Sequence, residues 1–326
     1  MIDNKFSPEQ RSFIEKNKLD SKIMAETTTQ ILIRLGLTKK PSEKPIAFIV
    51  GGQPGSGKSG IISNIMQNYG QNYILIDNDE YRMYHPNLDE INRLFPELYT
   101  ECTDQLSFET TPKAIKYAMD NRYNMIIHQT LKNDTIINCA ITDLTNSGYT
   151  IIVVVMAADE LTSNEGMLRR CQDKLEFDGT CRWVSQENHD FAYKGLPTTV
   201  GHIEERGLYD AIVVVTRSVD PEHPENVNVI HKVVNPDMPE HHMDALESIN
   251  FSDENIKMLN TAKEAVIIGR KADGEYTLNG LEDRIAQAKK RASTPEEFKR
   301  IKHLEELYAQ EKAKKNLDKG EDPEKS

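Results

Sequence analysis

The sequence lacks the features that mark secreted, membrane-spanning and nucleic-acid-binding proteins. Its longest apolar run, residues 151–158, falls far short of the roughly 20 residues that a membrane helix needs. The first ten residues are polar and charged, without the apolar core of a signal peptide. Lys and Arg number 40 against 52 Asp and Glu, and the net charge of −12 disfavours contact with nucleic-acid phosphates. We therefore expect a soluble, cytoplasmic protein that binds neither a membrane nor nucleic acid.

Cysteine is scarce, and histidine shows no metal-binding pattern. The four cysteines form no C-x-x-C pair and have no histidines at zinc-finger spacing. We expect all of them to be reduced and structural; they are Cys102, Cys139, Cys171 and Cys181. The histidines beyond residue 220 are irregularly spaced and are predicted to be surface side chains; they include His223, His231, His241 and His242.

Apolar runs of strand length are present, and they alternate with helical segments. Strands are predicted at 45–50, 73–76, 125–127, 150–156 and 211–216. Helices are predicted at 7–37, 60–68, 113–121 and 134–146. Continuously apolar strands are typical of a parallel sheet that helices cover on both faces. The predicted fold class is therefore α/β with a mainly parallel sheet.

A glycine-rich segment between the first strand and the next helix fits G-x-x-x-x-G-K-[ST] at every fixed position. Its residues are Gly52, Gln53, Pro54, Gly55, Ser56, Gly57, Lys58 and Ser59. The backbone N–H groups of such a loop surround phosphate oxygens, while Lys58 is expected at the β- and γ-phosphates and the Ser59 hydroxyl on Mg²⁺. This segment, the P-loop, predicts binding of ATP with Mg²⁺ on a P-loop NTPase-type sheet.

The chain divides by pattern into three segments. Residues 1–44 are predicted to be a helical segment and residues 45–220 the P-loop core. Residues 221–326 read as a loop followed by a charged, helical C-terminal extension, in which residues 294–296 open the last helix.

Two acids follow the second predicted strand, at the sheet edge where ligands of open α/β folds bind. Asp77 and Asp79 are both candidates for phosphoryl-transfer chemistry. One is expected to face the metal and its waters and the other the acceptor hydroxyl. For Asp77, a simpler role as the N-cap of the next helix is an equal alternative.

The order of motifs resembles the zeta toxin family. The matching segments are G-Q-P-G-S-G-K-S, L-I-D-N-D-E-Y-R-M-Y-H-P-N-L-D-E, H-Q-T-L-K and K-G-L-P-T-T, which together span about residues 44–216. The family comprises toxins of bacterial toxin–antitoxin pairs and includes kinases that phosphorylate the 3′-hydroxyl of UDP-N-acetylglucosamine. The resemblance implies that activity here, and a small helical antitoxin that blocks the nucleotide cleft.

The resemblance also assigns roles residue by residue. Lys58 and Ser59 match the family's phosphate and metal residues, and Asp79 matches its proposed general base. Arg82 falls on a basic position, and Thr130 on a substrate-binding threonine.

Two further arginines match the pair that clamps the transferred phosphate in the family. They are Arg170 and Arg182, with Arg169 as a competitor for the first position. Donors over the P-loop make physical sense, because negative charge develops on the equatorial oxygens during transfer.

The chain departs from the family pattern in the implied sugar pocket. Where the family carries a glutamate two positions before the threonine, this chain has His128, which is expected to help orient the acceptor. A second family glutamate has only a weak match, at Glu109. Relaxed or altered specificity among UDP-sugars is therefore a hypothesis. The alternatives are a P-loop kinase for another hydroxyl acceptor, such as an antibiotic or a nucleoside, and a nucleotide-binding interaction protein with weakened catalysis.

Overall fold

The computed structural model describes residues 6–70, 72–179, 181, 184–217, 227–236 and 259–318. Six strands form one sheet: β1 Ile46–Gly51, β2 Tyr73–Asp77, β3 Asn124–Gln129, β4 Thr150–Met156, β5 Ala211–Arg217 and β6 Val227–Val234. The α-helices of the first half are α1 Pro8–Lys16, α2 Ser21–Gly36, α3 Lys58–Tyr69, α4 Asn78–Tyr81, α5 Leu88–Leu94, α6 Tyr99–Asp120 and α7 Asp134–Asn146. Those of the second half are α8 Glu160–Asp178, α9 Gln186–Glu205, α10 Ala262–Thr277, α11 Leu281–Arg291 and α12 Pro295–Asp318.

The strand order is β2-β3-β1-β4-β5-β6, with every pair parallel except β5 and β6. The P-loop strand β1 therefore lies inside the sheet, between β3 and β4. Because parallel strands end at the same edge, the segments that follow β1, β2 and β3 are neighbours in space. The predicted α/β class with a mainly parallel sheet is confirmed.

Alternation along β1 shows how the sheet is covered on both faces. Ala47 and Ile49 belong to one buried cluster, and Phe48 and Val50 to the other. The second cluster includes residues of α3, and the first includes residues of α2, α6, α7, α9 and α10. Burial on both faces explains why these strands read as uninterrupted apolar runs.

The N-terminal helical segment is two helices, where the pattern predicted one. Helix α1 ends at Lys16, and Asp20 begins α2 by accepting hydrogen bonds from the N–H groups of Lys22 and Ile23. A strong N-cap inside a helical pattern marks a new start, and the signal was available in the sequence. The capping box that Ser7 forms with Gln10 is the predicted start of α1.

The region after residue 220 contributes more to the sheet than its sequence pattern suggested. Strand β6 adds an antiparallel edge to β5, and α10 packs on α9 and β5. His231 lies on β6 and is only 4% exposed, so the prediction of a surface histidine is wrong there; His223, His241 and His242 lie outside the described residues. The three-segment division stays a prediction. In the described part of the chain, no helix is both long and apolar enough to cross a bilayer.

The expectation that every cysteine is reduced is wrong for two of them. Cys171 and Cys181 form a disulfide with a Cα–Cα distance of 5.1 Å. Helix α8 ends at Gly179, whose left-handed φ of 74° turns the chain back so that Cys181 returns to the helix. Cys102 is a buried free thiol, and the Cys139 side chain lies outside the described residues.

Reduction of this disulfide is expected to lower the free energy of unfolding by about 3 kcal/mol, because the bridge closes a short loop and restricts the unfolded chain. Urea unfolding of the oxidised and reduced protein measures the difference. Cys181→Ser is the matched control, since it should unfold like the reduced wild type with or without reductant. Equal stability of the oxidised and reduced wild type would contradict the prediction.

Candidate active site

The P-loop joins β1 to α3 through a turn that only glycine adopts without strain. Gly57 has φ of 99° and stands directly before the first residue of α3, Lys58. Gly57 has no side chain to cap α3, so the first N–H groups of the helix are left for another acceptor. A helix N-terminus that faces a concavity favours an anion there.

The P-loop backbone lies in direct contact with helix α8. A Cβ placed on Gly55, whose φ is 78°, would stand 1.9 Å from the Ser163 carbonyl oxygen. A Cβ on Gly166 would stand 2.4 Å from the Gly55 oxygen. Glycine is therefore required on both sides of this contact, which fixes α8 against the loop.

Lys58 is folded into the P-loop and buried. Its ammonium group donates hydrogen bonds to the carbonyl oxygens of Gly52, at 2.7 Å, and Gln53, at 2.9 Å. Burial, and to a smaller extent the nearby charge of Arg170, lower the pKa of Lys58 to about 7, while Asp77 and Asp79 act in the opposite direction. The charged form of Lys58 is thus poorly compensated, and an anion in the loop would supply what it lacks.

The hydroxyl groups of the loop fit a phosphate and a metal ion. The Ser56 Oγ atom is buried and has no hydrogen-bond partner among the described residues, an arrangement that a phosphate oxygen would satisfy. Ser59 is exposed at the start of α3, where its hydroxyl is open to a hard cation such as Mg²⁺. The residues present therefore fit Mg²⁺ and a polyphosphate.

The two acids and His128 meet at the ends of neighbouring strands. Asp77 and His128 are register partners of β2 and β3, and their side chains are hydrogen-bonded, with 2.6 Å between Oδ2 and Nδ1. The Asp77 Oδ1 atom accepts a 2.9 Å hydrogen bond from the Asp79 N–H group. Asp77 is thus the N-cap of α4, as the simpler alternative had it, and in addition holds His128.

Arg82 anchors the segment that carries Asp79. Its side chain is 4% exposed and pairs with Asp104 at 2.6 Å and with Asp79 at 3.4 Å. It also donates to the Thr100 carbonyl and to the Thr103 hydroxyl on α6. The burial of the guanidinium points to positioning of Asp79, and direct contact of Arg82 with a substrate stays a prediction.

Thr130 is placed by two close contacts of the loop that follows β3. Leu131 adopts a φ of 50°, unusual for a leucine, and its side chain lies over Gly51, where a Cβ would meet it at 2.1 Å. Gly195, in the K-G-L-P-T-T segment on α9, leaves room for the Lys132 carbonyl oxygen, which would be 2.1 Å from a Cβ there. These contacts explain the structural role of the H-Q-T-L-K and K-G-L-P-T-T segments, and they fix the loop in which Thr130 follows β3.

Helix α8, which contacts the P-loop, carries Arg170 and its competitor Arg169. Arg169 and Arg170 are exposed, and both line a depression of about 420 Å³. The charge of Arg170 lowers the pKa of Lys58, which favours Arg170 as the arginine nearer to the P-loop. Arg182 lies outside the described residues, and Glu109 is on α6, engaged with Lys113 and Gln105.

One neighbour of the P-loop was missed by the sequence reasoning. Arg270 of α10 is 7% exposed, lies over the ring of Tyr193 at 3.8 Å, and donates to the Tyr193 carbonyl and the Gln53 side chain. Gln53 in turn donates to the Ala158 carbonyl at 2.7 Å. No local motif marks Arg270, because its role arises from a contact 217 positions along the chain.

A second unpredicted network holds the ends of β4 and β5 together. Asp273 of α10 accepts from the Asp159 N–H group at 2.8 Å and pairs with Arg217 at 3.1 Å. Arg217 also donates to the hydroxyls of Thr162 and Thr277. Arg217 passes beside Gly57, 3.9 Å from the position of a Cβ, so this network borders the P-loop.

A mainly parallel sheet with a P-loop after β1 and acids after β2 defines a P-loop protein built to bind phosphates. A family model, that of the zeta toxins, matches residues 33–231, more than half of the chain. The chain therefore belongs to the zeta toxin family, and the resemblance drawn from its motifs is confirmed.

Individual relatives agree with this assignment. The chain is 33% identical over 180 residues to toxin zeta of Enterococcus hirae, covering 55% of this chain and 63% of that protein. It is 26% identical over 180 residues to toxin PezT of Streptococcus pneumoniae, covering 55% and 71%. A solved chain of the PezAT toxin–antitoxin system of Streptococcus pneumoniae shares the fold, with a TM-score of 0.57, 20% identity, and coverage of 80% of this chain and 98% of that one. The sequence match thus spans less than two thirds of the Enterococcus relative.

Replacing Lys58 by Met should make the effect of its lowered pKa measurable. In the wild type, the cost of the buried charge is fully present below about pH 7 and is relieved as the pH rises through 10.5, above which Lys58 is neutral in both the folded and unfolded states. The stability of Lys58→Met relative to wild type should therefore fall by a few kcal/mol across that range. Urea unfolding at several pH values measures this, with the exposed Lys44→Met as control. A difference that does not change with pH would contradict the shift.

Proposed function

We propose that the protein is an ATP-dependent kinase that phosphorylates a hydroxyl of a UDP-amino-sugar, with the 3′-hydroxyl of UDP-N-acetylglucosamine as the leading acceptor. In this proposal it acts as the growth-inhibiting toxin of a toxin–antitoxin pair, by draining a cell-wall precursor. One observation carries the proposal. Lys58 of the P-loop is buried, with a lowered pKa, and lies close enough to the acids that follow β2 for their charges to act on it.

The phosphate side of the proposed reaction uses the P-loop. Lys58 would exchange its hydrogen bonds to the Gly52 and Gln53 carbonyls for bonds to phosphate oxygens, and Ser56 would gain the partner that it lacks. Ser59 would hold Mg²⁺, which when bound supplies neutralisation of charge on the phosphates. Arg170 is proposed to add positive charge over the transferred group, and Arg182 to be the second donor.

On the acceptor side, Asp79 is the proposed general base. Its side chain is 44% exposed, and its backbone and carboxylate are held by Asp77 and Arg82. Asp79 would take the proton of the acceptor hydroxyl as the new oxygen–phosphorus bond forms. The bond between the γ-phosphorus and the bridging oxygen breaks at the same time, and ADP leaves with that electron pair. Thr130 and His128 would orient the acceptor.

An antitoxin is the proposed partner. The structural relative of 20% identity comes from a system named as a toxin–antitoxin pair. We propose that a small helical protein blocks the nucleotide cleft of this chain, since a kinase that depletes a precursor must be held inactive until needed.

Mass spectrometry of the purified protein with ATP, Mg²⁺ and UDP-N-acetylglucosamine tests the proposal. A product heavier by one phosphate is expected for the wild type. Lys58→Ala should reduce its rate by at least about a hundredfold, because the charge on the phosphates loses its partner. Asp79→Asn should reduce it by about a hundred- to ten-thousandfold, because the amide takes up no proton.

The matched controls are Lys44→Ala and Asp89→Asn, which change exposed residues of the same types outside the P-loop and the α4 segment. Both should keep the wild-type rate. A product formed equally well by Asp79→Asn would exclude Asp79 as the base. ATP hydrolysis that depends on Lys58, with no transfer to any UDP-sugar of a panel, would move the acceptor outside that class.

A further inference from the structure

Asp77 and His128 form a hydrogen-bonded pair inside the proposed acceptor site. The two residues are partners in the register of β2 and β3, and His128 is also the partner of Val50 on β1, at the entry to the P-loop. The pair therefore lies in line with the P-loop across three adjacent strands. Its side chains are 15% and 21% exposed, so the pair is sheltered and still reachable from the cleft.

Both carboxylate oxygens of Asp77 are engaged. Oδ1 accepts the N–H group of Asp79, and Oδ2 lies 2.6 Å from Nδ1 of His128. Because a carboxylate oxygen accepts, Nδ1 must carry the hydrogen in this bond. In the neutral imidazole, that leaves the other ring nitrogen, Nε2, as a hydrogen-bond acceptor.

We propose that Asp77 is the residue that positions both halves of the acceptor site, and that it holds His128 with Nε2 ready to accept a hydrogen bond from a hydroxyl of the acceptor. The proposal rests on the proposed kinase function and adds a specificity element to it. Asp77 acts through its neighbours: one oxygen fixes the backbone of the base Asp79, and the other fixes the ring and the tautomer of His128.

Charge explains why a histidine suits this position. A carboxylate held where Nδ1 of His128 lies, 2.6 Å from Asp77, would be repelled, so a glutamate at this position must turn away from Asp77 or share a proton with it. The Asp77–His128 pair instead carries a single negative charge when the ring is neutral. The groups that act electrostatically on this region include Lys58 of α3 and Glu80 of α4.

The tautomer can be observed without any enzymatic activity. Long-range ¹H–¹⁵N NMR of the purified protein, with the signal assigned through its loss in His128→Gln, should show the hydrogen on Nδ1. Asp77→Asn keeps an oxygen to cap Asp79, but its amide N–H₂ donates toward Nδ1, so the hydrogen should move to Nε2. A wild-type ring with its hydrogen on Nε2, or an unchanged tautomer in Asp77→Asn, would overturn the proposal whatever the kinase assay shows.

Kinetics then test the consequence for the acceptor. Asp77→Asn should lower kcat/KM for the acceptor by about tenfold or more, since the His128 nitrogen then donates where it should accept. ATP binding, measured by calorimetry, should change much less than the acceptor kcat/KM, because the hydrogen bonds of Asp77 go to Asp79 and His128 while its effect on Lys58 is electrostatic. Glu80→Gln is the matched control: it removes one negative charge from the same segment without a bond to the pair.

A double variant tests whether the Asp77–His128 hydrogen bond itself matters or whether each substitution merely disturbs the site. His128→Glu alone should be impaired, because the Oδ2 atom of Asp77 then loses the N–H group from which it accepts. The double variant Asp77→Asn with His128→Glu restores one negative charge and a donor–acceptor bond of reversed polarity, and should be more active than His128→Glu. Impairments that simply multiply in the double variant would show that the two residues do not act as a pair. Absence of phosphoryl transfer in the wild type would refute the proposed function, while the NMR result would still decide the pair.

Discussion

The contact between the P-loop backbone and helix α8 is the constraint on which the site depends. Gly55 and Gly166 approach so closely that neither tolerates a Cβ. With no side chain between them, the loop and the helix share one geometry, and the next turn of α8 carries Arg170 to where its charge acts on Lys58. A helix spaced by side chains would stand farther from the loop and leave its arginine too remote to act at the phosphates.

Helix α8 is in turn held by residues that lie beyond the segment matched to the family. Arg291 of α11 pairs with Asp173 and Glu176 of α8, at 2.7 and 2.6 Å. Glu297 of α12 accepts from Gln172 of α8. The C-terminal helices therefore support the helix that bears the candidate phosphate-binding arginine, a contact that their charged sequences did not predict. A single exposed ion pair contributes little to the free energy of unfolding. The effect of these pairs is to fix the orientation of α8 relative to α11.

Sequence reasoning succeeded where one local signal determines the structure. The P-loop glycines and the apolar run 150–156 were placed correctly, because turn chemistry and burial on both faces are written in neighbouring residues. It missed Arg270 and the disulfide of Cys171, since both depend on segments that meet only in the folded chain. For Asp77, the sequence predicted the N-cap role, which depends on neighbouring residues. It did not predict the bond to His128, because that bond depends on the register of β2 and β3.

The charged groups at the edge of the sheet where β1 and β2 end act on one another. Lys58 is buried with its pKa near 7, held down by desolvation and Arg170 and raised by Asp77 and Asp79. A further carboxylate near Lys58 would favour the charged form of the lysine, but it would also repel a polyphosphate that enters the P-loop. These two effects oppose each other. A histidine bonded to Asp77 adds a hydrogen-bonding side chain at this edge of the sheet without adding a negative charge to those that act on Lys58.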